Sequence, residues 1–424
     1  MRQAVVFDLD GTLTQSEEGI FNSIRYVAER MGYPVPDAEE LRKFIGPPLY
    51  YSFVNFMGMN DTQAVEAVRV YRERYVTTGL FENRVYPGIR RLLRTLKAND
   101  VFVAVATGKP QSPSERILEH FGLSHFIDRI VGPDMDTKDA DKEKLIRKAL
   151  PEHYDHACMV GDRKFDIEGA KRAGIGSVGV GYGYGSREEL EQAGCDIYAE
   201  TVENLIQALC AGMPVPRGQF LSMEGLDGSG KSTQLAMLKD HLSRYGYELV
   251  ESREPGGCPI SEKIRTLILS RENAEMTAQT EALLYAASRA QHVHDVILPA
   301  VRDGKLMICD RFLDSSVAYQ GGGRGLGVEE VVAMNTYAVG TLRPDVTVFL
   351  DLPHEVALSR RMHATTPDRM EIAGEAFHAR VEDAYHAMIS REPERFVVVD
   401  ASGDVQTIAK TVAERVIERL KEME

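Results

Sequence analysis

Basic residues are in the minority throughout this sequence. Residues 1–212 contain 26 Lys and Arg against 32 Asp and Glu, and residues 213–424 contain 24 against 32. Proteins that bind DNA or RNA usually concentrate positive charge on one face or stripe. The balance therefore argues against a nucleic-acid partner and favours small phosphorylated ligands.

Cysteines are few, and long apolar runs are absent. The five cysteines are odd in number and scattered: Cys158, Cys195, Cys210, Cys258 and Cys309. No C-x-x-C pair occurs, which favours free thiols in a reducing compartment. No apolar run approaches the length that spans a membrane, and the amino terminus lacks the pattern of a signal peptide. We therefore expect a cytoplasmic protein without a membrane partner.

With 424 residues, the chain is longer than a single domain with one hydrophobic core usually is. Short apolar runs alternate with amphipathic stretches in both halves, which predicts an α/β protein with two doubly wound parallel-sheet domains. A mostly helical stretch at about residues 16–81 predicts a cap inserted into the first domain. Two prolines and two glycines at 211–218 mark a linker, so the predicted domains are 1–210 and 219–424.

Individual elements follow from the same pattern. The predicted strands are 4–7, 101–106, 157–160 and 177–180 in the first domain, and 306–309, 346–350 and 396–399 in the second, after a first strand that begins at 219. The predicted helices are 17–31, 39–44 and 62–77 in the cap, and 278–301 and 373–389 in the second domain.

The stretch FLSMEGLDGSGKST contains G-x-x-x-x-G-K-[ST] between an apolar strand and an amphipathic helix. Its glycines let the backbone wrap phosphates, so that N–H groups and the helix amino terminus face the anion. Lys231 would reach the terminal phosphates, and the Ser232 hydroxyl would ligate Mg²⁺. The predicted contacts with the phosphates of a nucleoside triphosphate, which is ATP if the domain is a kinase, are Gly225, Leu226, Asp227, Gly228, Ser229, Gly230, Lys231, Ser232 and Thr233.

Carboxylates mark the end of the first strand. Asp8 and Asp10 lie two residues apart and therefore on the same side of the pleat. Further polar positions follow at later strand ends or at a helix start: Thr107, Lys142, and Asp162 with Asp166. This set resembles the haloacid-dehalogenase-like phosphatases over nearly all of residues 1–210. The helical insert resembles the cap of phosphoglycolate phosphatases and 5′-nucleotidases.

The resemblance implies hydrolysis through an aspartyl-phosphate. Asp8 would attack phosphorus, and Asp10 would protonate the leaving alcohol and later activate water. Thr107 and Lys142 would bind the phosphoryl oxygens and offset negative charge. The implied Mg²⁺ ligands are Asp8, Asp10, Asp162 and Asp166. The substrate is an unidentified phosphomonoester, with phosphoglycolate or a nucleoside monophosphate as candidates.

A P-loop alone suits a GTPase, an ATPase motor or a small kinase, but the N-K-x-D of GTPases is absent. Three further stretches, REPGG at 253–257, DRF at 310–312 and SSVAYQGGGR at 315–324, complete a resemblance to thymidylate kinases over 219–424. The positions implied to contact dTMP are Asp227, Arg253, Arg289, Arg311, Ser316, Tyr319 and Gln320. Arg253 and Arg311 would bind its phosphate. Arg289 would meet thymine, and Ser316 and Gln320 would read the base edge or simply cap a helix.

The remaining implied roles concern the sugar and the transferred group. Asp227 would reach the sugar, Tyr319 would exclude a 2′-hydroxyl, and Asp310 would position the acceptor and Mg²⁺. Phosphoryl transfer also needs positive charge on the moving group. Gly228 occupies the P-loop position where some relatives have an arginine, so a lid at 359–371 should supply it. Arg361 and Arg369 are favoured as catalytic residues over Arg360.

Together these patterns predict a bifunctional enzyme that uses ATP and Mg²⁺: a dTMP kinase fused to a capped phosphatase. The kinase resemblance also implies a homodimer through the second domain. One alternative treats residues 1–210 as an inactive scaffold, against which Asp8, Asp10, Lys142 and Asp162 argue. Another treats the P-loop domain as a nucleotide-dependent switch, against which the acceptor arginines argue.

Overall fold

The computed structural model describes residues 2–47, 49–134, 141–362, 369–370 and 373–424, without the side chains of residues 361 and 362. The chain forms two compact units. The first comprises Met1–Pro214 with Ser243–Tyr247, and the second comprises Val215–Leu242 with Glu248–Glu424. The main division thus falls between Pro214 and Val215, within the predicted linker.

The first unit is built on a six-stranded parallel sheet. Its strands are β1 (Gln3–Phe7), β2 (Phe102–Ala106), β3 (Arg129–Val131), β4 (His156–Gly161), β5 (Gly176–Val180) and β6 (Ile197–Ala199). They pair in the order β3-β2-β1-β4-β5-β6. The chain builds outward from β1 to one side and then crosses to the other. The crevice of such a sheet opens at the carboxyl ends of the strands where the order reverses, here at β1, β2 and β4.

Helices surround this sheet, and four of them form the cap. The cap helices are α1 (Glu17–Met31), α2 (Ala38–Arg42), α3 (Leu49–Met57) and α4 (Asp61–Arg74), followed by a π-helical turn at Tyr75–Gly79. The others are α5 (Ile89–Ala98), α6 (Gln111–His120), α7 (Lys142–Ala149), α8 (Lys164–Ala173), α9 (Arg187–Ala193) and α10 (Val202–Cys210), with a 3₁₀ turn at Ser124–Phe126. Capping boxes at Asp37 and Asn60 start α2 and α4.

The second unit has a five-stranded parallel sheet. Its strands are β7 (Phe220–Gly225), β8 (Leu249–Arg253), β9 (Leu306–Asp310), β10 (Val346–Asp351) and β11 (Phe396–Asp400), in the order β11-β10-β7-β9-β8. The central strand β7 is buried at every residue. Because β7, β9 and β8 are neighbours in this parallel sheet, their carboxyl ends lie along the same edge, next to the loop that follows β7.

Nine helices of the described residues complete this unit. They are α11 (Lys231–Arg244), α12 (Pro259–Leu269), α13 (Ala278–His292), α14 (Leu298–Arg302), α15 (Leu313–Ser316), α16 (Val328–Val339), α17 (His354–Met362), α18 (Glu375–Arg391) and α19 (Val405–Glu422). Shorter turns lie at Arg271–Asn273, Val293–Ile297 and Val317–Gly323.

The predicted fold class is confirmed, because both units are α/β structures on parallel sheets. All five cysteines carry free thiols, as predicted. Among the helices that the structure describes, none combines the length and the apolar character needed to cross a bilayer.

Candidate active sites

The first candidate site lies at the carboxyl edge of the six-stranded sheet. Asp8 directly follows β1, and its backbone N–H donates to the carbonyl of Val160 in β4 at 2.9 Å. Thr107 follows β2, with its N–H on the carbonyl of Val131 in β3 at 3.0 Å. Asp162 directly follows the last residue of β4. Parallel pairing thus brings together residues that are far apart in the sequence.

Lys142 joins two of the predicted carboxylates. It is the first residue of α7, and its Nζ lies 2.8 Å from Asp8 Oδ1 and 2.6 Å from Asp166 Oδ1. Burial disfavours the charge of this amine, but Asp166 and Asp8 outweigh that effect and raise the pKa of Lys142. Lys142 therefore stays positive beside the predicted nucleophile, where a phosphoryl oxygen would need positive charge.

Three carboxylates could hold a metal ion here. Oxygens of Asp8, Asp162 and Asp166 all lie within 4.8 Å of one another. Burial, together with the repulsion of Asp166 and Asp8, raises the pKa of Asp162 to about 8. Burial also raises the pKa of Asp166 to about 6, against the opposing effect of Lys142. Lys142 alone does not offset the mutual repulsion of the three carboxylates, and their hard oxygen donors suit Mg²⁺.

Asp10 lies outside that group of three. Its Oδ2 is 3.0 Å from Lys109 Nζ, and the same amine donates to the Tyr75 hydroxyl at 2.5 Å. Its Oδ1 is buried without a hydrogen-bond partner among the described residues. The assignment of Asp10 as a metal ligand stays a prediction. Lys109 also donates its backbone N–H to Thr107 Oγ1 at 3.2 Å.

Two residues that orient Asp162 were missed in the sequence. Thr12 Oγ1 donates to Asp162 Oδ1 at 3.3 Å, and the Tyr184 N–H donates to Asp162 Oδ2 at 2.8 Å. Gly11, at φ +80°, lets the loop approach this carboxylate, since a Cβ there would lie 2.2 Å from Asp162 Oδ2. The D-x-D-G-T run offered a signal for Thr12 and Gly11, whereas nothing near Tyr184 pointed to its role.

The titration of this cluster predicts how stability changes with pH. In the metal-free protein the raised pKa values mean that the folded state holds protons that the unfolded chain, with Asp near pKa 3.9, releases. The free energy of unfolding therefore falls as pH rises from about 4 to about 8. We expect Asp162→Asn to unfold at a higher temperature than the wild type at pH 8 in a chelator, with the difference shrinking towards pH 4. Calorimetry at both pH values measures this.

Added Mg²⁺ is the control for that comparison. Because the cation offsets the repulsion only where the carboxylates are present, Mg²⁺ should stabilise the wild type more than Asp162→Asn at pH 8. An Asp162→Asn chain that is less stable than the wild type at pH 8 without metal would contradict the expectation.

The second candidate site is a cavity of about 510 Å³ in the second unit. Twelve of the predicted site residues line it: Asp227, Gly228, Gly230, Lys231, Ser232, Thr233, Arg253, Arg289, Asp310, Arg311, Tyr319 and Gln320. Gly225, Leu226, Ser229, Ser316 and Arg369 were also predicted but are not among its lining residues. Residues of the P-loop and residues predicted to bind the acceptor thus line the same cavity. The Lys231 Nζ donates to the carbonyls of Gly225 and Leu226 at 3.0 and 2.9 Å.

Arg311 connects the P-loop with Tyr319, one of the predicted acceptor-binding residues. Its backbone is in the left-handed region at φ +68°, and its N–H donates to the Met223 carbonyl in β7 at 3.0 Å. Its guanidinium donates to Asp227 Oδ1 at 2.6 Å and to the Tyr319 hydroxyl at 3.2 Å. Burial would raise the pKa of Asp227, but Arg311 and Lys231 hold it well below its ordinary value. Asp227 is therefore negatively charged and holds the guanidinium of Arg311 in place.

Glu224 supports the turn that carries Arg311, and the sequence did not mark it. It accepts from the Phe312 N–H at 2.8 Å, from the Ser315 hydroxyl at 2.6 Å and from the Tyr385 hydroxyl at 2.8 Å. Burial and the charge of Asp314 raise the pKa of Glu224 to about 7. The only feature of the sequence that could have indicated this role of Glu224 is its position directly before Gly225, the first glycine of the P-loop.

Arg289 is buried and held from several sides. Its Nε donates to Glu254 Oε2 at 2.6 Å, and its Nη2 donates to the Phe312 carbonyl and to Ser316 Oγ, both at 3.1 Å. The other oxygen of Glu254 is 2.9 Å from His292 Nδ1. Ser316 therefore holds Arg289, and Glu254 and His292 are further supports that sequence reasoning did not assign.

Arg253 and Asp310, which are predicted to contact phosphate and Mg²⁺, have different environments. Arg253 is half exposed, and its guanidinium lies 2.9 Å from Glu262 Oε1. Asp310 has one oxygen buried without a hydrogen-bond partner in the described part of the chain. Both side chains line the cavity, where a phosphate or a cation bound between them could complete their interactions.

The predicted lid arginines are in different environments. The side chain of Arg361 lies outside the described residues. Arg369 is buried, with Nη2 2.7 Å from Glu281 Oε2 and Nε donating to the Ile268 carbonyl at 2.9 Å. Arg360, which was not favoured, lines the cavity and donates to the Ala401 carbonyl at 3.1 Å. The choice of the catalytic arginine stays a prediction.

Comparisons with known proteins match the two units of the chain to two different families. Residues 223–412 match the family model described as thymidylate kinase, and residues 5–180 match that described as haloacid dehalogenase-like hydrolase. The thymidylate kinase of Pelobacter propionicus is 44% identical over 207 residues, which cover 47% of this chain and 94% of that protein. A Geobacter thymidylate kinase is 45% identical over 212 residues, 49% of this chain and 94% of its own.

A similar solved structure is the crystal structure of a predicted phosphatase from Clostridium acetobutylicum. It is 42% identical, covers 49% of this chain and 98% of its own chain, and has a TM-score of 0.46.

Proposed function

The chain belongs to the thymidylate kinase family and also matches the haloacid dehalogenase-like hydrolase model, and we propose that it is a bifunctional enzyme. Its second unit transfers a phosphoryl group from ATP to dTMP and forms dTDP. Its first unit hydrolyses a phosphomonoester. The shared cavity of the P-loop and the acceptor arginines carries the kinase proposal. The contact of Lys142 with Asp8 carries the phosphatase proposal.

In the kinase, the protein's part is positioning and charge. The P-loop N–H groups and Lys231 bind the phosphates of ATP, while Arg311 and Arg253 hold the phosphate of dTMP. Because Asp227 and Tyr319 fix the Arg311 guanidinium, the acceptor phosphate meets a fork whose orientation is already set. Ser232 would hold Mg²⁺ bound with ATP, and the ion would supply positive charge to the phosphates.

In the phosphatase, Asp8 forms a bond to phosphorus as the alcohol leaves, and water then cleaves the aspartyl-phosphate. Lys142 offsets the charge that develops on the phosphoryl oxygens, and Thr107 donates to them. Asp10 gives a proton to the leaving oxygen and later takes one from water. Asp8, Asp162 and Asp166 would hold Mg²⁺, which supplies further positive charge to the phosphoryl group.

Two assays on the full chain test this proposal. The first follows ADP formation from ATP with dTMP as acceptor, and the second follows phosphate release from monoesters in the presence of Mg²⁺. A folded chain with kinase activity but no release from any monoester would favour the inactive scaffold as the role of the first unit. ATP hydrolysis that does not require an acceptor would favour the nucleotide-dependent switch.

We expect dTMP to be a poor substrate of the phosphatase. An efficient dTMP phosphatase in the same chain would compete with the kinase by hydrolysing its acceptor to thymidine and phosphate. Phosphoglycolate or another nucleoside monophosphate should therefore have the higher kcat/KM. Phosphate release from a panel of monoesters at matched Mg²⁺ measures the preference. If dTMP is the best substrate, the expectation is wrong, and the fusion would instead set the level of dTMP.

The proposal includes a homodimer through the second unit. Three large apolar side chains on α12 and α13 are about half exposed, namely Ile260, Leu267 and Leu283. A second copy that covers these helices would remove this apolar surface from water. Light scattering on the wild type and on Leu267→Glu tests the assignment, since the charge should shift the mass towards the monomer.

A further inference from the structure

A buried carboxylate, Glu281 in α13, contacts one of the predicted base-reading residues. The side chain of Glu281 has no exposed surface. Its Oε1 accepts from Gln320 Nε2 at 3.0 Å and from Arg324 Nε at 3.2 Å. Its Oε2 accepts from Arg324 Nη2 at 3.0 Å and lies 2.7 Å from Arg369 Nη2. One carboxylate thus receives donors from three other side chains.

This arrangement determines which way the Gln320 amide faces. The nitrogen and oxygen of a glutamine amide have nearly the same shape, so only their hydrogen-bond partners distinguish the two orientations. With two guanidinium groups against it, the Glu281 carboxylate can only accept hydrogen bonds. A carbonyl oxygen turned towards it would be repelled, and the Gln320 amino group must face it instead.

The Gln320 carbonyl oxygen is left as an unused acceptor. Gln320 lines the cavity of the second unit, and its Oε1 is buried without a hydrogen-bond partner among the described residues. Burying a polar atom without a partner is costly, so the site favours a ligand that brings a donor to it. Thymine and uracil carry an N–H at ring position 3, whereas cytosine has a lone pair there.

We propose that Glu281 is a positioning residue that makes the acceptor site selective for bases with an N–H donor at ring position 3. It acts through Gln320 and does not itself touch the base. Arg324 and Arg369 hold the carboxylate in place and keep it an acceptor. This inference rests on the proposed function, because it requires the cavity to bind a pyrimidine nucleoside monophosphate.

The test compares dTMP, dUMP and dCMP as acceptors for the full chain, with ATP as donor. Glu281→Gln has nearly the same shape, but its amide can donate to Gln320 as well as accept, so that Gln320 can turn. The ratio of kcat/KM for dTMP to that for dCMP should fall by about tenfold or more. We expect the change mainly in the KM of the acceptor, with the KM of ATP unaffected. Because dUMP also has the N–H, it should follow dTMP.

A second background shows whether Glu281 acts through Gln320. Gln320→Met removes the amide and should lower the dTMP to dCMP ratio by itself. Adding Glu281→Gln to Gln320→Met should then leave the ratio where it is, because a residue that acts through another has no effect once that one is gone. A further fall of the same factor in the double variant would overturn the proposal.

Two more variants separate positioning from stability. Asp314 is another buried carboxylate of this unit, bound to Arg395 at 2.6 and 2.9 Å. Asp314→Asn should lower the melting temperature without changing the nucleotide ratio. Should Glu281→Gln fail to fold, Glu281→Asp carries the same comparison, since it keeps the charge for the two arginines but withdraws the carboxylate from Gln320.

The outcomes for the inference and for the proposed function are distinct. A wild type that phosphorylates dTMP and dUMP and rejects dCMP, with a ratio that Glu281→Gln reduces, supports the inference. A selective wild type whose ratio is unchanged in folded Glu281→Gln or Glu281→Asp overturns the inference alone. A wild type that phosphorylates none of the three overturns the proposed function and the inference with it.

Discussion

Replacing Asp8 by Asn is expected to abolish phosphate release by the first unit and to leave dTMP phosphorylation by the second unit intact. An amide is too weak a nucleophile to attack phosphorus, and the loss of a nucleophile that acts within a catalytic set commonly costs 10⁴-fold or more, about as much as the loss of the whole set. The fold should survive, because Asn has nearly the same shape and Lys142 keeps Asp166 at 2.6 Å. Phosphate release and ADP formation are measured on the same preparation.

Asp10→Asn is the matched comparison for that variant. It keeps Asp8, so the aspartyl-phosphate can still form with a good leaving group, but its hydrolysis slows because the residue that activates water is gone. Trapping with a labelled monoester should therefore show phospho-enzyme in Asp10→Asn and none in Asp8→Asn. Full hydrolysis by Asp8→Asn would end the aspartyl-phosphate mechanism.

The central strands could be predicted from the sequence because they are buried on both faces. The predicted strand 4–7 corresponds to β1, and 101–106 corresponds to β2, each within one residue. The edge strands β3 and β6 were not predicted. Each has only three residues and a partly exposed pattern, so neither forms a continuous apolar run. Helix α3 was missed as well, since its run LYYSFVNFM is apolar without clear helical spacing.

Predicted site residues came from local motifs, whereas their supports come from elsewhere in the chain. Lys231 and Asp227 lie in one loop, and both line the cavity. The contact of Arg289 with Glu254 joins α13 to the end of β8, and no spacing rule relates these two positions. A sequence motif indicates the side chains that contact the ligand. The residues that hold those side chains depend on the packing of elements that are distant in sequence.

The environment of Arg369 shows the same limit. The composition of the lid suggested an arginine for the transferred phosphoryl group. Whether Arg369 plays that role stays a prediction, but its guanidinium contacts the buried Glu281 of α13, a contact that the sequence did not indicate. Charge pairing across a fold depends on which carboxylate is buried nearby. Hydrophobic periodicity gives no information on that point.

The last expected result concerns Lys231 and Arg311. Lys231→Ala should lower dTMP kinase activity by about 100- to 1,000-fold, because this buried ammonium of the P-loop would offset the negative charge that develops on the phosphates. Arg311→Lys keeps a charge but loses the planar fork that contacts Asp227 and Tyr319. It should therefore raise the KM of dTMP and leave the KM of ATP nearly unchanged. Steady-state kinetics with each substrate varied in turn separates these effects.

Lys239 supplies the matched control, since it lies on the same helix α11, pairs with Glu251 on the surface and does not line the cavity. Lys239→Ala should retain kinase activity, because a partly exposed ion pair contributes little. Phosphate release from monoesters should persist in Lys231→Ala, Arg311→Lys and Lys239→Ala, since each active site is assembled from residues of one unit. Loss of both reactions in a variant that remains folded would show that the two sites depend on each other. An Arg311→Lys enzyme with an unchanged KM for dTMP would remove Arg311 from the acceptor site.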